Sequence, residues 1–477
     1  MVTSTNGRWW ALTATALSLL VVGLDMTVLN VALPDIAADL DASTSQLQWF
    51  ADAYLLVLAA VMLPAGMLGD RLGRKGLTVG ALVVFGAGSL WCAYAGSPGA
   101  LIAARCVLGL GAAVLVPLAM SAVVVMFEPH ERARAVMVLS LATMVGLPLG
   151  PVVGGALLQS FWWGSVFLVN APVVLVALVA VVTFLPRGGV AQEGGGFDAV
   201  GVVLAALGLV GLTYGVIEAP ERGWTDPLTL GCAGGAVVVL AAFLVWERRL
   251  RETVPVFDFA VWAHPAFRWG AVTAAVGSLS MFGVMFTVPQ YFRLVLGADA
   301  LGTGLRTLPL VLGMLVAMQV SMRLGARVAP RVLAAAGSLV VAAGMALGAT
   351  TGLDDGSVRA AVWTALVGVG TGATLFAAQN AALVSLPRHR AGAGSALVQT
   401  LRQVGSVLGI AVLGAALSSR YAGAGDSAAH FVEGMDLALW VSVGVALVAA
   451  VLAAARLPRT PHAAQAESEG VDLARAA

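Results

Sequence analysis

The stretch that decides the fold is Trp10-Ala-Leu-Thr-Ala-Thr-Ala-Leu-Ser-Leu-Leu-Val-Val-Gly-Leu-Asp25-Met-Thr-Val-Leu-Asn30-Val-Ala32. Over its 23 residues only Asp25 carries a charge, and about 20 apolar residues in a helix cross a bilayer core. The trio Ala14-Thr15-Ala16 imitates a signal-cleavage site. Apolar character continues past it to Ala32, so an uncleaved first span is expected. The whole chain repeats what this run shows: of 477 residues, 60% are hydrophobic and 11% charged. That apolar content is roughly two and a half times what one soluble core buries, and it would fill about fourteen spans. A soluble enzyme on one anchor and a disordered chain are both excluded. The runs are also too long and continuous for an outer-membrane barrel. The sequence predicts an all-α polytopic membrane protein.

Further runs of span length lie at Leu47–Leu68, Leu77–Ala95, Leu101–Phe127, Val136–Leu157 and Val166–Leu185, completing a first six. Val200–Ile217 and Leu228–Trp246 form a middle pair. A second six follows at Trp269–Phe292, Leu305–Met322, Val332–Ala349, Ala360–Leu383, Leu397–Ser418 and Leu437–Ala455. With the N-terminus inside, about 19 of the 26 Lys and Arg residues fall on the cytoplasmic side. Only Arg222, Arg293, Arg359 and Arg420 fall outside. That asymmetry fits an even number of spans with both the N- and C-termini cytoplasmic. Tryptophans such as Trp9, Trp49, Trp163, Trp246 and Trp440 lie near span ends, as interfacial anchors do.

The net charge of +1 offers no field for nucleic acid. Cys92, Cys106 and Cys232 all sit in apolar runs, and no Cys/His cluster has metal spacing, so no metal and no cofactor is expected. The five histidines fall in loops or the tail, which argues against an intramembrane enzyme. Pro186–Asp198 is Gly-rich and reads as a flexible connection. Glu247–Arg268 mixes charges with Phe257, Phe259 and Trp262, as a segment on the cytoplasmic interface would. Ser43 with Gln46, and Ser45 with Gln48, have capping-box spacing at the second span.

Some residues do not belong in lipid. Asp25 lies about 13 Å of helix rise before Pro34, well inside the hydrocarbon. A carboxylate there costs at least about 3 kcal/mol unless it faces a cavity or a partner, or is protonated. It is either a proton carrier or an acid locked to one basic partner for packing. Arg105 in the fourth span is the obvious partner, and Gly109 and Gly111 beside it admit another backbone. An arginine keeps its proton but can tune a nearby carboxylate, or it can simply tie helices together. In the fifth span Gly146, Gly150 and Gly154 form one stripe, with Gly155 adjacent and Pro148 and Pro151 between. Gly66-Met-Leu-Gly-Asp70-Arg71-Leu-Gly73-Arg74-Lys75 between spans two and three has the basic residues of a positive-inside loop, which leaves its acid unexplained. Asp52, one turn from Trp49, reads as water-exposed or as an outer proton antechamber.

Together these segments resemble the major facilitator superfamily, specifically its fourteen-span drug:proton antiporter branch. Gly66-x-Leu68-x-Asp70-Arg71-x-Gly73-Arg74-Lys75 resembles the family's cytoplasmic gating motif. Leu101-x-x-x-Arg105-x-x-x-Gly109-x-Gly111 resembles the fourth-span motif associated with proton coupling. Gly146 through Gly150-Pro151-x-x-Gly154-Gly155 resembles the fifth-span antiport signature. Leu24-Asp25-x-Thr27-Val-x-Asn30-Val-Ala-Leu-Pro34 is similar to the first-span motif of the branch. Phe167-x-x-Asn170-x-Pro172 and Arg402-Gln403-Val404-Gly405 extend the likeness into spans six and thirteen. Two departures stand out: Trp163-Gly164-Ser165 replaces the usual Trp-Arg-Trp, and the second-half echo of the gating motif at Met322–Arg331 lacks the acid.

The resemblance implies two pseudo-symmetric six-helix bundles, 1–186 and 266–456, around a central cavity. Two inserted spans and an interfacial segment would occupy 187–265, and a disordered cytoplasmic tail 457–477. It implies a secondary active exporter in the cell membrane that trades lipophilic drugs or antibiotics for protons and so gives multidrug or antibiotic resistance. A nutrient:proton symporter of the same fold is the rival. The proton would be the coupling ion, carried at Asp25 and tuned by Arg105. A monomer is expected, whose partners are the lipid bilayer and a small lipophilic substrate, monocationic, neutral or weakly basic, with no nucleic acid. Candidate pocket positions are Asn30, Phe282, Phe286, Gln290, Gln379, Asn380, Gln399 and Gln403.

Overall fold

The computed structural model describes residues 5–185, 196–250, 253–254, 257–325, 327–353, 355–386, 391–421 and 428–459. The expected tail beyond 459 and most of the Gly-rich connection lie outside them. In chain order the helices are α1 (Thr5–Leu40), α2 (Thr44–Leu72), α3 (Arg74–Ala93), α4 (Pro98–Met126), α5 (Pro129–Leu158), α6 (Ser165–Leu168), α7 (Asn170–Phe184), α8 (Ala199–Arg222) and α9 (Pro227–Arg249). After a short α10 (Phe259–Trp262) come α11 (Pro265–Leu294), α12 (Ala300–Leu324), α13 (Pro330–Ala349), α14 (Ser357–Val384), α15 (Ala391–Tyr421) and α16 (Ala428–Arg456). With α6 and α7 taken as one, fourteen of these are long and apolar enough to cross a membrane, the number the apolar runs predict.

Local chemistry sets several helix ends. Ser43 and Gln46 form a full capping box at the start of α2. The alternative pair starting at Ser45 falls inside the helix, where the Ser45 amide instead donates to Glu221 of α8. Gly73 separates α2 from α3 at φ +88°, a backbone conformation that disfavours any residue with a Cβ. α1 continues eight residues past the apolar run, through Pro34 to Leu40. The sixth span is broken at Val169. Pro172 has no N–H for the Leu168 carbonyl, which loosens the turn just where the break falls. Two residues of parallel pairing, β1 (Gly196–Phe197) with β2 (Thr253–Val254), join the segments flanking α8 and α9. Beside them Asp198 caps α8 through the Gly201 amide and accepts the Trp246 indole N–H, each at 2.9 Å.

The described chain forms two compact units. One holds residues 1–256 together with 288–306, the facing ends of α11 and α12 and the loop between them. Its main packings are α1 on α5, α2 on α4, α3 on α4 and α7, and α8 on α9. The other holds 257–287 and 307–477, built chiefly from α13 on α14 and on α16, and α15 on α16.

Candidate functional site

Small residues bring α1 against α5. A Cβ on Gly146 would stand 2.5 Å from the Leu20 carbonyl oxygen, and one on Gly150 2.7 Å from that of Leu24, so only glycine permits this approach. Gly154 faces Val28 in the same stripe, while Gly155 turns away to the Ala300 carbonyl. Pro151 lacks the N–H that would bond the Leu147 carbonyl four residues back. The Thr27 hydroxyl takes that place, donating to Leu147 O at 2.9 Å. The first-span and fifth-span motifs are thus two sides of one contact.

That contact holds Asp25 fully buried, together with Arg105. Arg105 Nη1 donates to Asp25 Oδ2 at 2.8 Å. Its Nε donates to the Phe50 carbonyl at 2.8 Å, and the guanidinium lies 4.5 Å from the Tyr54 ring centroid. Gly109 makes this possible, since a Cβ there would sit 2.7 Å from the Tyr54 carbonyl oxygen. Asn170, the first residue of α7, donates to Asp25 Oδ1 at 3.2 Å and to Ser89 Oγ at 2.9 Å. Ser89 in turn donates to the Phe167 carbonyl beside the break in the sixth span. Four helices, α1, α2, α4 and α7, therefore meet at one buried carboxylate and one buried guanidinium, with α3 and α6 behind them through Ser89. Sequence reasoning quoted Asn170 only as part of a motif and missed Ser89. A buried serine on an apolar helix carries no local signal of its own.

A buried ion pair of this kind repays its desolvation only when its geometry and hydrogen bonds are nearly complete. A proton on Asp25 would cancel one charge and leave Arg105 facing a neutral acid. The pair can therefore register protonation as a change in the forces between α1, α4 and α7.

The remaining predicted positions are distributed as follows. The backbone of Gly66, Asp70 and Arg71 lies in the last turns of α2, and the side chains of Asp70 and Arg71 lie outside the described residues. Gly73 and Arg74 form the turn into α3, and Lys75 Nζ donates to the Val182 carbonyl of α7 at 2.6 Å. Asn30 is buried in the first unit, which also contains Gln290. In the second unit Phe286 and Gln403 are buried, while Phe282, Gln379, Asn380 and Gln399 are half-buried. Asp52 is fully buried, contrary to its water-exposed reading, and neither of its oxygens has a hydrogen-bond partner among the described residues.

Fourteen spans, the sixth of them broken, thus enclose an ion pair sealed between spans one and four. The major facilitator superfamily model matches residues 15–410, and the chain belongs to that family. It is 34% identical to the puromycin resistance protein pur8 of Streptomyces alboniger, over 98% of this chain and 95% of that one. It is 32% identical to the tetracenomycin C resistance and export protein of Streptomyces glaucescens, over 87% and 77%. With the multidrug efflux pump LfrA of Mycolicibacterium smegmatis it shares 32% identity over 96% and 90%. Among solved structures, a bacterial homologue of the human lysosomal transporter Spinster, inward-facing and unoccupied, superposes with a TM-score of 0.70 at 18% identity. That match covers 94% of this chain and 97% of the other. The protein is a membrane-embedded transporter of the superfamily.

Proposed function

We propose that this transporter exports lipophilic drugs or antibiotics in exchange for protons by alternating access. The observation that carries the reading is the fully buried Asp25, bonded to Arg105 and Asn170 in the first unit. The full-length relatives that carry resistance and export names support the cargo class.

In this reading the outward-facing state loads a proton onto Asp25, breaking its charge balance with Arg105. Arg105 then keeps the Phe50 carbonyl and the Tyr54 ring as partners. The inward-facing state takes up cargo from the cytoplasm and releases the proton. Cargo and proton need not touch, because each shifts the other through the same conformational equilibrium. One pH unit supplies about 1.4 kcal/mol per proton, and each charge crossing 100 mV adds about 2.3 kcal/mol.

The test is Asp25→Asn in proteoliposomes with an imposed pH gradient and ethidium as the fluorescent cargo. The variant is expected to express and fold, since asparagine keeps the shape and leaves Arg105 an oxygen to bond. Its pH-driven ethidium transport should fall to background, and full transport would overturn the assignment of Asp25.

A further inference from the structure

The second unit contains a membrane cation that the proton-coupling pair does not use. Arg402 lies on α15, whose Gly405 and Gly409 press their backbone against the carbonyl oxygens of Ala275 and Leu279 on α11. That close approach leaves the Arg402 side chain lying along α11. Its Nε donates to Ser278 Oγ at 3.3 Å, and its Nη1 donates to Gln399 Oε1 at 3.2 Å. Both partners are neutral. Among the described residues no carboxylate forms an ion pair with Arg402. Its other terminal nitrogen, Nη2, makes no hydrogen bond to a described residue and is not among the sealed polar atoms.

The acids on the spanning helices of this unit, among the described residues, are Glu433 and Asp436 in the first turns of α16. By helix rise Asp436 stands roughly 15 Å from the level of Arg402 along the bundle. The contrast with Arg105 is direct: that guanidinium has Asp25 at 2.8 Å, whereas Arg402 has two neutral oxygens. A guanidinium remains charged under all physiological conditions, and charges in a membrane span are paired or face a polar opening. Ser278 and Gln399 fix two corners of the planar fork and leave an outward edge of N–H donors, the shape that binds a carboxylate or other oxyanion side-on.

We infer that Arg402, held by Ser278 and Gln399, is a cargo-recognition site for lipophilic organic anions: aromatic or polycyclic molecules bearing a carboxylate or an acidic phenol or enol. The site completes its charge with the cargo. This inference rests on the export reading for its biological sense, and it revises the expectation of monocationic, neutral or weakly basic substrates by adding acidic ones.

The test uses pyrenebutyrate and its methyl ester, which differ by one charge, titrated by pyrene fluorescence against the full chain in nanodiscs with empty nanodiscs subtracted. The wild type is expected to bind the acid at least tenfold more tightly than the ester. Arg402→Gln should erase that preference, and Arg402→Lys should keep part of it. Equal affinities in the wild type, or an Arg402→Gln variant that weakens both probes alike, would overturn the inference, the second by showing a structural role. Proton-driven ethidium transport by the wild type separates the two readings. Ethidium export without discrimination between the pyrene probes sinks the anion site and leaves export standing. Discrimination without proton-driven movement of either ethidium or pyrenebutyrate sinks export and supports the site.

Discussion

Thr27 supplies the hydrogen bond that Pro151 withholds. Proline 151 leaves the Leu147 carbonyl of α5 without its intrahelical donor, and the Thr27 hydroxyl of α1 donates to it at 2.9 Å. An unmet backbone carbonyl in a buried helix contact costs about 1–3 kcal/mol. Thr27→Val, which keeps the shape and removes the donor, should lower the thermal stability of the purified transporter by about that amount. Pro151→Ala restores the intrahelical N–H, so in that background Thr27→Val should cost much less. Equal costs in the two backgrounds would show that the hydroxyl does not serve this carbonyl. Thermal unfolding of the four proteins closes the cycle.

Asp52 tests what a buried acid without a partner does. Both its oxygens, and both amide atoms of Gln48 one turn earlier, lack hydrogen-bond partners among the described residues. Arg105 on α4, which packs against α2, is committed to Asp25, Phe50 and Tyr54. An ionised carboxylate at this place would stand without a counter-charge. Asp52→Asn, neutral and of the same shape, is therefore expected to leave the melting temperature at pH 7 unchanged or raised. A fall of several degrees would mean that the native carboxylate is charged and paired.

The number of spans was legible because lipid demands long apolar runs, and each run announces itself without its neighbours. The ends were less so. α1 runs on to Leu40 because a helix leaving the bilayer need not stay apolar, and the break at Val169 depends on Pro172 three residues later. Asp25 and Arg105 stood out because charge is costly in lipid. Ser89 and Asn170 did not, since their part is defined only by which helix lies opposite. Thr27 and Pro151 were both quoted in motifs 124 residues apart, yet nothing in either motif says that one completes the other. The scarcity of acids in the later spans was legible beside Arg402, but its seat on Ser278 and Gln399 is a property of packing.

Asp299, in the loop before α12, offers a pH signature outside the membrane. The Gln159 amide donates to Oδ2 at 2.9 Å and the Gly302 amide to Oδ1 at 2.8 Å. The Gln159 hydrogen bond first, then the Gly302 amide and the charges of Arg306 and Arg293, hold this carboxyl below its ordinary range. A group lowered on folding contributes stability above its unfolded value, near pH ~3.9, and loses it as pH falls through the lower folded value. The stability difference between the wild type and Asp299→Asn should therefore stay constant from pH 7 to about 5 and close on further acidification below ~4. Unfolding midpoints measured across this range check it, and a gap that widens on acidification would reverse the sign.

Asp35 and Arg293 carry the last prediction. Asp35 near the end of α1 accepts a hydrogen bond from Arg293 at the end of α11, and a few residues on, Gln159 meets Asp299. Gly155 and Gly304 close the same region, since a Cβ on either would meet the backbone of Ala300 or Pro151 respectively. By the charge-derived orientation this is the outer side. If cargo leaves there by alternating access, the ends of α1 and α11 must part once in each cycle, and a half-exposed ion pair is weak enough to allow it. In a background with Cys92, Cys106 and Cys232 replaced by alanine, Asp35→Cys with Arg293→Cys joined by a short bis-methanethiosulfonate linker should cut pH-driven ethidium transport at least tenfold. Reduction of the linker should restore it. Undiminished transport with the linker in place would show that these two ends stay together throughout the cycle, and that the exit path runs elsewhere.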